Sequence, residues 1–202
     1  TRPFRVVFGY NCAAGACPPA ALPPGFIGTK TGIAHVSDIN QRNKQAALDL
    51  WAALDRAPET AVPMLEAVAQ WHGPAPVGVQ TSGVGIVAEM FAPLRAALPD
   101  LQRHTHIFAG GQSDASEAGG EDGAWWVAGT GYYTGRAVAP MFGIPATDTD
   151  LRIRWGEFLC FDGAGRVTHA QTIWDLVDWC DQIGHPVLPR PRGAMHVYPA
   201  PT

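Results

Sequence analysis

Residues 125–145 read WWVAGTGYYTGRAVAPMFGIP, and the reading of this stretch decides the fold. Its first nine residues alternate. Trp125, Val127, Gly129, Gly131 and Tyr133 point one way, and Trp126, Ala128, Thr130 and Tyr132 the other. Large side chains on both faces describe a strand inside a sheet. Glycines within a strand mark a bulge, a sharp bend or a close backbone approach. Gly129 and Gly131 share a face with Tyr133. The segment is therefore a bent central strand of a curved sheet, or such a strand with a ligand pocket under the bend, where the missing side chains leave a hollow in front of the Tyr133 phenol.

The flanking segments fit a sheet. Downstream, 151–161 reads as a long strand, DGAG (162–165) as a hairpin turn and 167–174 as the returning strand, followed by a short helix to Ile183 with Asp175 as its N-cap. Upstream, 101–109 reads as a strand carrying His104 and His106. A helix over 83–98 buries Val87, Met90, Phe91, Leu94 and Leu98, with a kink expected at Pro93. Before it come a short strand, 70–72, and a helix over 59–69. A first helix over 40–56, capped by Asn40, sets Ala47, Leu50, Trp51 and Leu54 on one face. Helices on one side of a curved antiparallel sheet make an α+β domain.

Four motifs carry a family resemblance. GTGYYTG followed by FGIPATD resembles the GTHxG…GIPATG pattern of the SnoaL-like polyketide cyclases and ester cyclases. WHGPAP resembles that family's pocket-rim turn, FAPLRAALPD its third helix and exit, and WDLVDWCDQIG its closing segment, in family order over about 40–184. The resemblance implies the nuclear transport factor 2-like fold: a cone in which three helices cover the concave face of a curved antiparallel sheet. Residues 1–39 are then a Pro/Gly-rich N-terminal arm and 185–202 a Pro-rich tail. It also implies a homodimer paired through the open sheet face, and chemistry with neither cofactor nor metal. The cyclases close a ring by intramolecular aldol condensation, with an aspartate in the last strand as base and a histidine on the neighbouring strand assisting. Those positions fall on Thr172 and on Glu157 (or Gly156, if the one-residue insertion lies elsewhere). Both identities differ from the cyclases.

The residues themselves single out Glu157. It lies on the face of its strand that also carries Leu151, Ile153, Trp155, Leu159 and Phe161, whereas Arg152 and Arg154 lie on the other. A carboxyl facing a core is costly unless paired or protonated. Desolvation raises its pKa toward the range where a carboxyl exchanges protons at neutral pH. Tyr133, at the position of the family's histidine, is a candidate donor to a developing oxyanion. His72, beside the GPAP turn, is a candidate pocket residue. Trp155, Thr172, Trp51, His106 and Phe91 complete the expected substrate-binding set. The i, i+2 spacing of His104 and His106 suits a metal, but no carboxylate lies nearby in sequence, and none is expected.

Composition sets outer limits. With 202 residues, 47% hydrophobic, the chain is long enough for one well-packed domain. A net charge of −4 without a basic cluster argues against nucleic acid, and no apolar run is long enough to span a bilayer. Cys12, Cys17, Cys160 and Cys180 have no C-x-x-C spacing; Cys12 and Cys17 could bridge in an exported chain. The chain begins at Thr1, as a trimmed or processed product would; a cytoplasmic address is expected, with export left open. Three functions remain: a cofactor-independent acid/base enzyme acting on a small apolar carbonyl compound, a non-catalytic binding module of the same fold and, ranked below them because Arg152 and Arg154 point away from the apolar face, an epoxide hydrolase in the style of the limonene-epoxide hydrolases, which this fold resembles and which use an Asp-Arg-Asp set.

Overall fold

The computed structural model describes residues 30–113 and 123–189. Most of the expected N-terminal arm, with Cys12 and Cys17, and the end of the expected tail lie outside them. The chain runs α1 (Lys30–Arg56), a 3-10 turn (Pro58–Met64), β1 (Leu65–His72), β2 (Val79–Gln80), a broken helix (Gly83–Ala97), β3 (Gln102–Gln112), β4 (Trp125–Arg136), β5 (Asp150–Phe161), β6 (Val167–Trp174) and a last helix, here α4 (Leu176–Gln182), with the first and last parts of the broken helix counted as α2 (Gly83–Ile86) and α3 (Ala92–Ala97). The six strands form one sheet in the order β2-β1-β6-β5-β4-β3.

The central hairpin follows the alternation. β4 and β5 pair antiparallel in unbroken register from Trp125↔Phe161 to Arg136↔Asp150. Gly129 thus faces Glu157, and Gly131 faces Trp155. The helix faces also follow their spacing. Ala47, Leu50, Trp51 and Leu54 of α1 are buried, as are Val87, Met90, Phe91, Leu94 and Leu98 of the broken helix. Among the described residues no helix is long and apolar enough to cross a membrane.

Four expectations are corrected. The sheet is mixed, not antiparallel, because β1 runs parallel to β6. The two strands are separated by almost half of the chain, so no tight turn dictates their direction. The first helix starts at Lys30, so Asn40 lies inside it and is no cap. The helix expected over 59–69 ends at Met64 as a 3-10 turn. From Leu65 onward pairing with β6 overrides the helical propensity of LEAVAQ, burying Leu65, Ala69 and Trp71. Finally, the Pro93 kink is taken up upstream. Val87–Phe91 forms a π turn, in which the Ala92 amide donates to Val87 rather than to residue 88, widening the helix just before the proline ring. The helix begins at Ser82, whose hydroxyl accepts from the Gly85 amide.

The last helix is tied to the end of β5. Asp175 caps it by accepting from the Asp178 amide at 3.0 Å. Gln182 donates to the Arg152 carbonyl at 2.8 Å and accepts from the Arg152 amide at 3.0 Å. Because β6 stops opposite Trp155, these bonds replace the ladder that β5 lacks there.

The two β4 glycines do different work. A Cβ on Gly131 would strike the backbone carbonyl of His104, where β3 is irregular between Thr105 and Ile107. A Cβ on Gly129 would strike the ring edge of Trp51. The expected hollow before Tyr133 is thus filled by an indole. Both alanine substitutions overpack the core, a change that costs about 1–3 kcal/mol. Gly131→Ala is expected to lower the melting temperature more than Gly129→Ala, because a backbone carbonyl yields less than a side chain. Equal melting temperatures for the two variants and the parent would contradict this account.

Candidate functional site

The β5 alternation aims Glu157 into the core, where it is fully buried. Three elements converge on it. From α1, the Trp51 Nε1–H donates to Glu157 Oε2 at 2.5 Å. From β3, Arg103 brings Nη1 to 3.5 Å from the same oxygen. From β6, Thr172 stands opposite in the register and its hydroxyl accepts from Trp71 Nε1–H at 2.9 Å. Arg103 is also held by Asp55, which accepts from Nε at 2.9 Å and from Nη2 at 3.0 Å. Trp51 and Asp55 lie four residues apart, one turn of α1, and so reach the same place.

Aromatic rings enclose the guanidinium. Its carbon lies 4.6 Å from the Trp155 ring centre, 4.8 Å from Tyr133 and 5.1 Å from Trp51. Trp155 packs edge-on against Trp51 at 5.3 Å. Tyr133 adjoins Trp155 and Trp174, and Phe91 lies between Trp174 and Trp71. Within this cage several polar atoms have no hydrogen-bond partner among the described residues: Glu157 Oε1, Tyr133 Oη, and the indole nitrogens of Trp155 and Trp174.

The electrostatics follow from burial. Desolvation raises the Glu157 pKa; Arg103 pulls it down without cancelling the rise, and Asp55 adds to it. Burial also works against the Arg103 charge, but Tyr133, Glu157 and Asp55 outweigh it, so the guanidinium stays cationic. The Tyr133 phenol is pushed well above its ordinary value, mainly by burial, and remains a proton donor.

Of the residues singled out from the sequence, Glu157, Tyr133, Trp155, Thr172 and Trp51 meet here, and Phe91 joins them at one remove through Trp71. His72 and His106 do not. Trp71 takes the core side of β1, so its neighbour His72 is turned outward and exposed. His106 sits at the β3 irregularity, exposed, with its ring 5.3 Å from Tyr132 on the outer face. His104 is on that face too, 3.0 Å from the Thr134 hydroxyl. Arg152 and Arg154 flank Tyr132 there, as their alternation predicts. Among the described residues no three His, Cys, Asp or Glu side chains converge as a metal site requires.

Sequence reasoning missed Arg103 and Asp55. Asp55 carried a signal, its i, i+4 spacing from Trp51. Arg103 carried less: it shares the core face with Phe108, five residues on, which simple alternation forbids and only the β3 irregularity allows. A cleft of about 370 Å³ lies at the far end of the hairpin, lined by Asp100, Gln102, Thr134, Arg152 and Gln182, and includes neither Glu157 nor Tyr133.

The helix-covered curved sheet is a SnoaL-like, nuclear transport factor 2-like α+β fold. Solved structures share it. A provisionally assigned SnoaL-like polyketide cyclase of Jannaschia sp. CCS1 is 15% identical, with a TM-score of 0.57 over 73% of this chain and 95% of that one. IdmH of Streptomyces antibioticus, provisionally a polyketide cyclase, is 17% identical, with a TM-score of 0.55 over 70% and 98%. A phenazine biosynthesis-related protein of Pseudomonas aeruginosa is 10% identical, with a TM-score of 0.55 over 82% and 100%. No protein-family model and no curated protein matches the sequence. At these identities the likeness is one of fold.

The raised Glu157 pKa has a consequence for stability. The folded state favours the protonated carboxyl, so its contribution is complete below the ordinary value of 4.5 and is lost as pH rises through the folded value. Glu157→Gln cannot titrate. The melting temperature of the parent relative to this variant is therefore expected to fall as pH is raised from about 4 to about 8. A difference that stays constant, or grows, over that range overturns the assignment of Glu157 as a desolvated acid.

Proposed function

We propose that the protein is a cofactor-independent enzyme that performs general acid/base chemistry on a small, mostly apolar carbonyl compound. The observation that carries this reading is the fully buried Glu157 carboxyl, set against a guanidinium inside a cage of indoles. Proton exchange needs a group whose pKa lies nearer neutrality than a solvated carboxylate's, and burial supplies that shift. In this reading Glu157 transfers the proton. Arg103 Nη1, which Asp55 does not use, and the Tyr133 hydroxyl stabilise the oxygen on which charge develops. The rings of Trp155 and Trp174 hold the apolar body. Aldol-type cyclisation, isomerisation and hydration all need one such proton shuttle. Because the Trp51 indole covers Oε2, substrate reaches Glu157 when that indole swings aside.

A second reading has its own observation. Arg103 lies between two carboxylates, Asp55 and Glu157, an arrangement suited to opening an epoxide. Glu157 then gives its proton to the ring oxygen as the C–O bond breaks, water adds to the carbon, and the surplus proton returns to the carboxylates. One experiment covers these readings: parent and Glu157→Gln are incubated with a series of small cyclic and open-chain carbonyl compounds and epoxides in 18O-labelled water. Turnover of a carbonyl compound that falls by about 100-fold or more in the variant is the expected result. A labelled diol from an epoxide selects the second reading. A compound that is bound and recovered unchanged selects a binding module, and full turnover by the variant removes Glu157 from the chemistry.

The same fold-level reading includes a pair of chains. The outer sheet face exposes Ile107, Phe158 and Ile173, at 60%, 44% and 63% of their surface, apolar area that a second copy would cover. Light scattering at micromolar concentration is expected to give twice the chain mass; a monomer counts against it.

A further inference from the structure

Glu157 and Asp55 compete for one guanidinium, and the geometry shows which holds it. Asp55 takes two aligned hydrogen bonds, at 2.9 and 3.0 Å, from Nε and Nη2. Glu157 receives only Nη1, at 3.5 Å, too long for a hydrogen bond, although it is the more deeply buried of the two. A bidentate carboxylate satisfies the guanidinium charge, so a second ionised carboxylate would leave the closed interior with a net negative charge. The two Glu157 oxygens are also unlike. Oε2 faces the Trp51 N–H and Arg103, as a carbonyl oxygen should. Oε1 has no hydrogen bond of ordinary geometry among the described residues, and the Thr172 hydroxyl is a further neutral donor that bears on the carboxyl and lowers its pKa. A buried carboxylate needs donors at both oxygens; a neutral carboxyl needs them at one and carries its proton on the other.

We propose that Asp55 is a positioning residue: by claiming the Arg103 guanidinium it keeps Glu157 neutral, with the proton on Oε1, so that the resting site is poised to donate a proton rather than to remove one. The charged and titratable groups that bear on Glu157 are Asp55 of α1, Arg103 of β3 and Tyr133 of β4. Thr172 of β6 and Trp51 of α1 carry no charge. The inference deepens the proposed acid/base reading by giving the direction of the first proton transfer. Among the three reaction types it favours those that begin by protonating a substrate oxygen.

The protonation state is read by infrared spectroscopy of the substrate-free protein at neutral pH. The parent is expected to show the carbonyl stretch of a protonated carboxyl, missing from Glu157→Gln. In Asp55→Asn the guanidinium is freed for Glu157, and the band is expected to vanish while the carboxylate band grows. In Asp55→Glu it is retained. In the double variant Asp55→Asn/Arg103→Gln, where neither charge remains, it returns. Absence of the Glu157 band from the parent overturns the proposal, and so does its persistence in folded Asp55→Asn. Should Asp55→Asn fail to fold, the parent spectrum and the double variant decide, and loss of the band in the latter counts against the proposal. Because no substrate is present, failure to find turnover leaves this result standing, and a missing band leaves the search for turnover open.

Discussion

A carboxyl without exposed surface occupies the middle of the sheet because a guanidinium from the edge strand reaches across to it. Arg103 starts on β3 and lies over the Trp155 ring on β5, two strands away. The intervening strand carries Gly129 and Gly131 at this level, so no side chain stands between them. Moving a carboxylate from water into a protein interior costs several kcal/mol even after relaxation. Burial raises the Glu157 pKa, which lessens that cost, while three rings, each contributing about 0.5–2 kcal/mol, and the bidentate Asp55 hold the guanidinium beside it. The surrounding elements, α1 with Trp51 and Asp55, the β3 irregularity and the glycines of β4, all serve this one arrangement.

That arrangement also explains why the interior is closed. An apolar cavity in front of Glu157 would leave its charge partner without support; indoles filling the space bury apolar surface and keep water from the ion pair. The unpaired atoms that remain, Oε1 of Glu157, the Tyr133 hydroxyl and two indole N–H groups, converge on the same interior. The outer face of the same sheet is different in kind: Tyr132 lies among Arg152, Arg154 and His106, and exposed aliphatic groups surround it. The sheet thus separates a buried inner face from a partly exposed outer one.

The sequence by itself determined the α+β architecture, the buried faces of α1 and the broken helix and the inward direction of Glu157, because periods of 3.6 and 2 fix which residues share a side within one element, and the DGAG turn determined the β5–β6 hairpin. It set Tyr133, Trp155 and Trp51 on buried faces for the same reason. It could not fix how elements meet. The parallel β1–β6 pair, the conversion of 65–69 from helix to strand and the outward turn of His72 all depend on a partner strand about 100 residues away. Arg103 entered the site through an irregularity that reverses the alternation of β3, and Asp55 through the approach of α1 to that strand. Only the tertiary structure decided that Glu157 has a guanidinium beside it and an aspartate competing for it, since charge pairing acts through distance in space, to which spacing along the chain is blind.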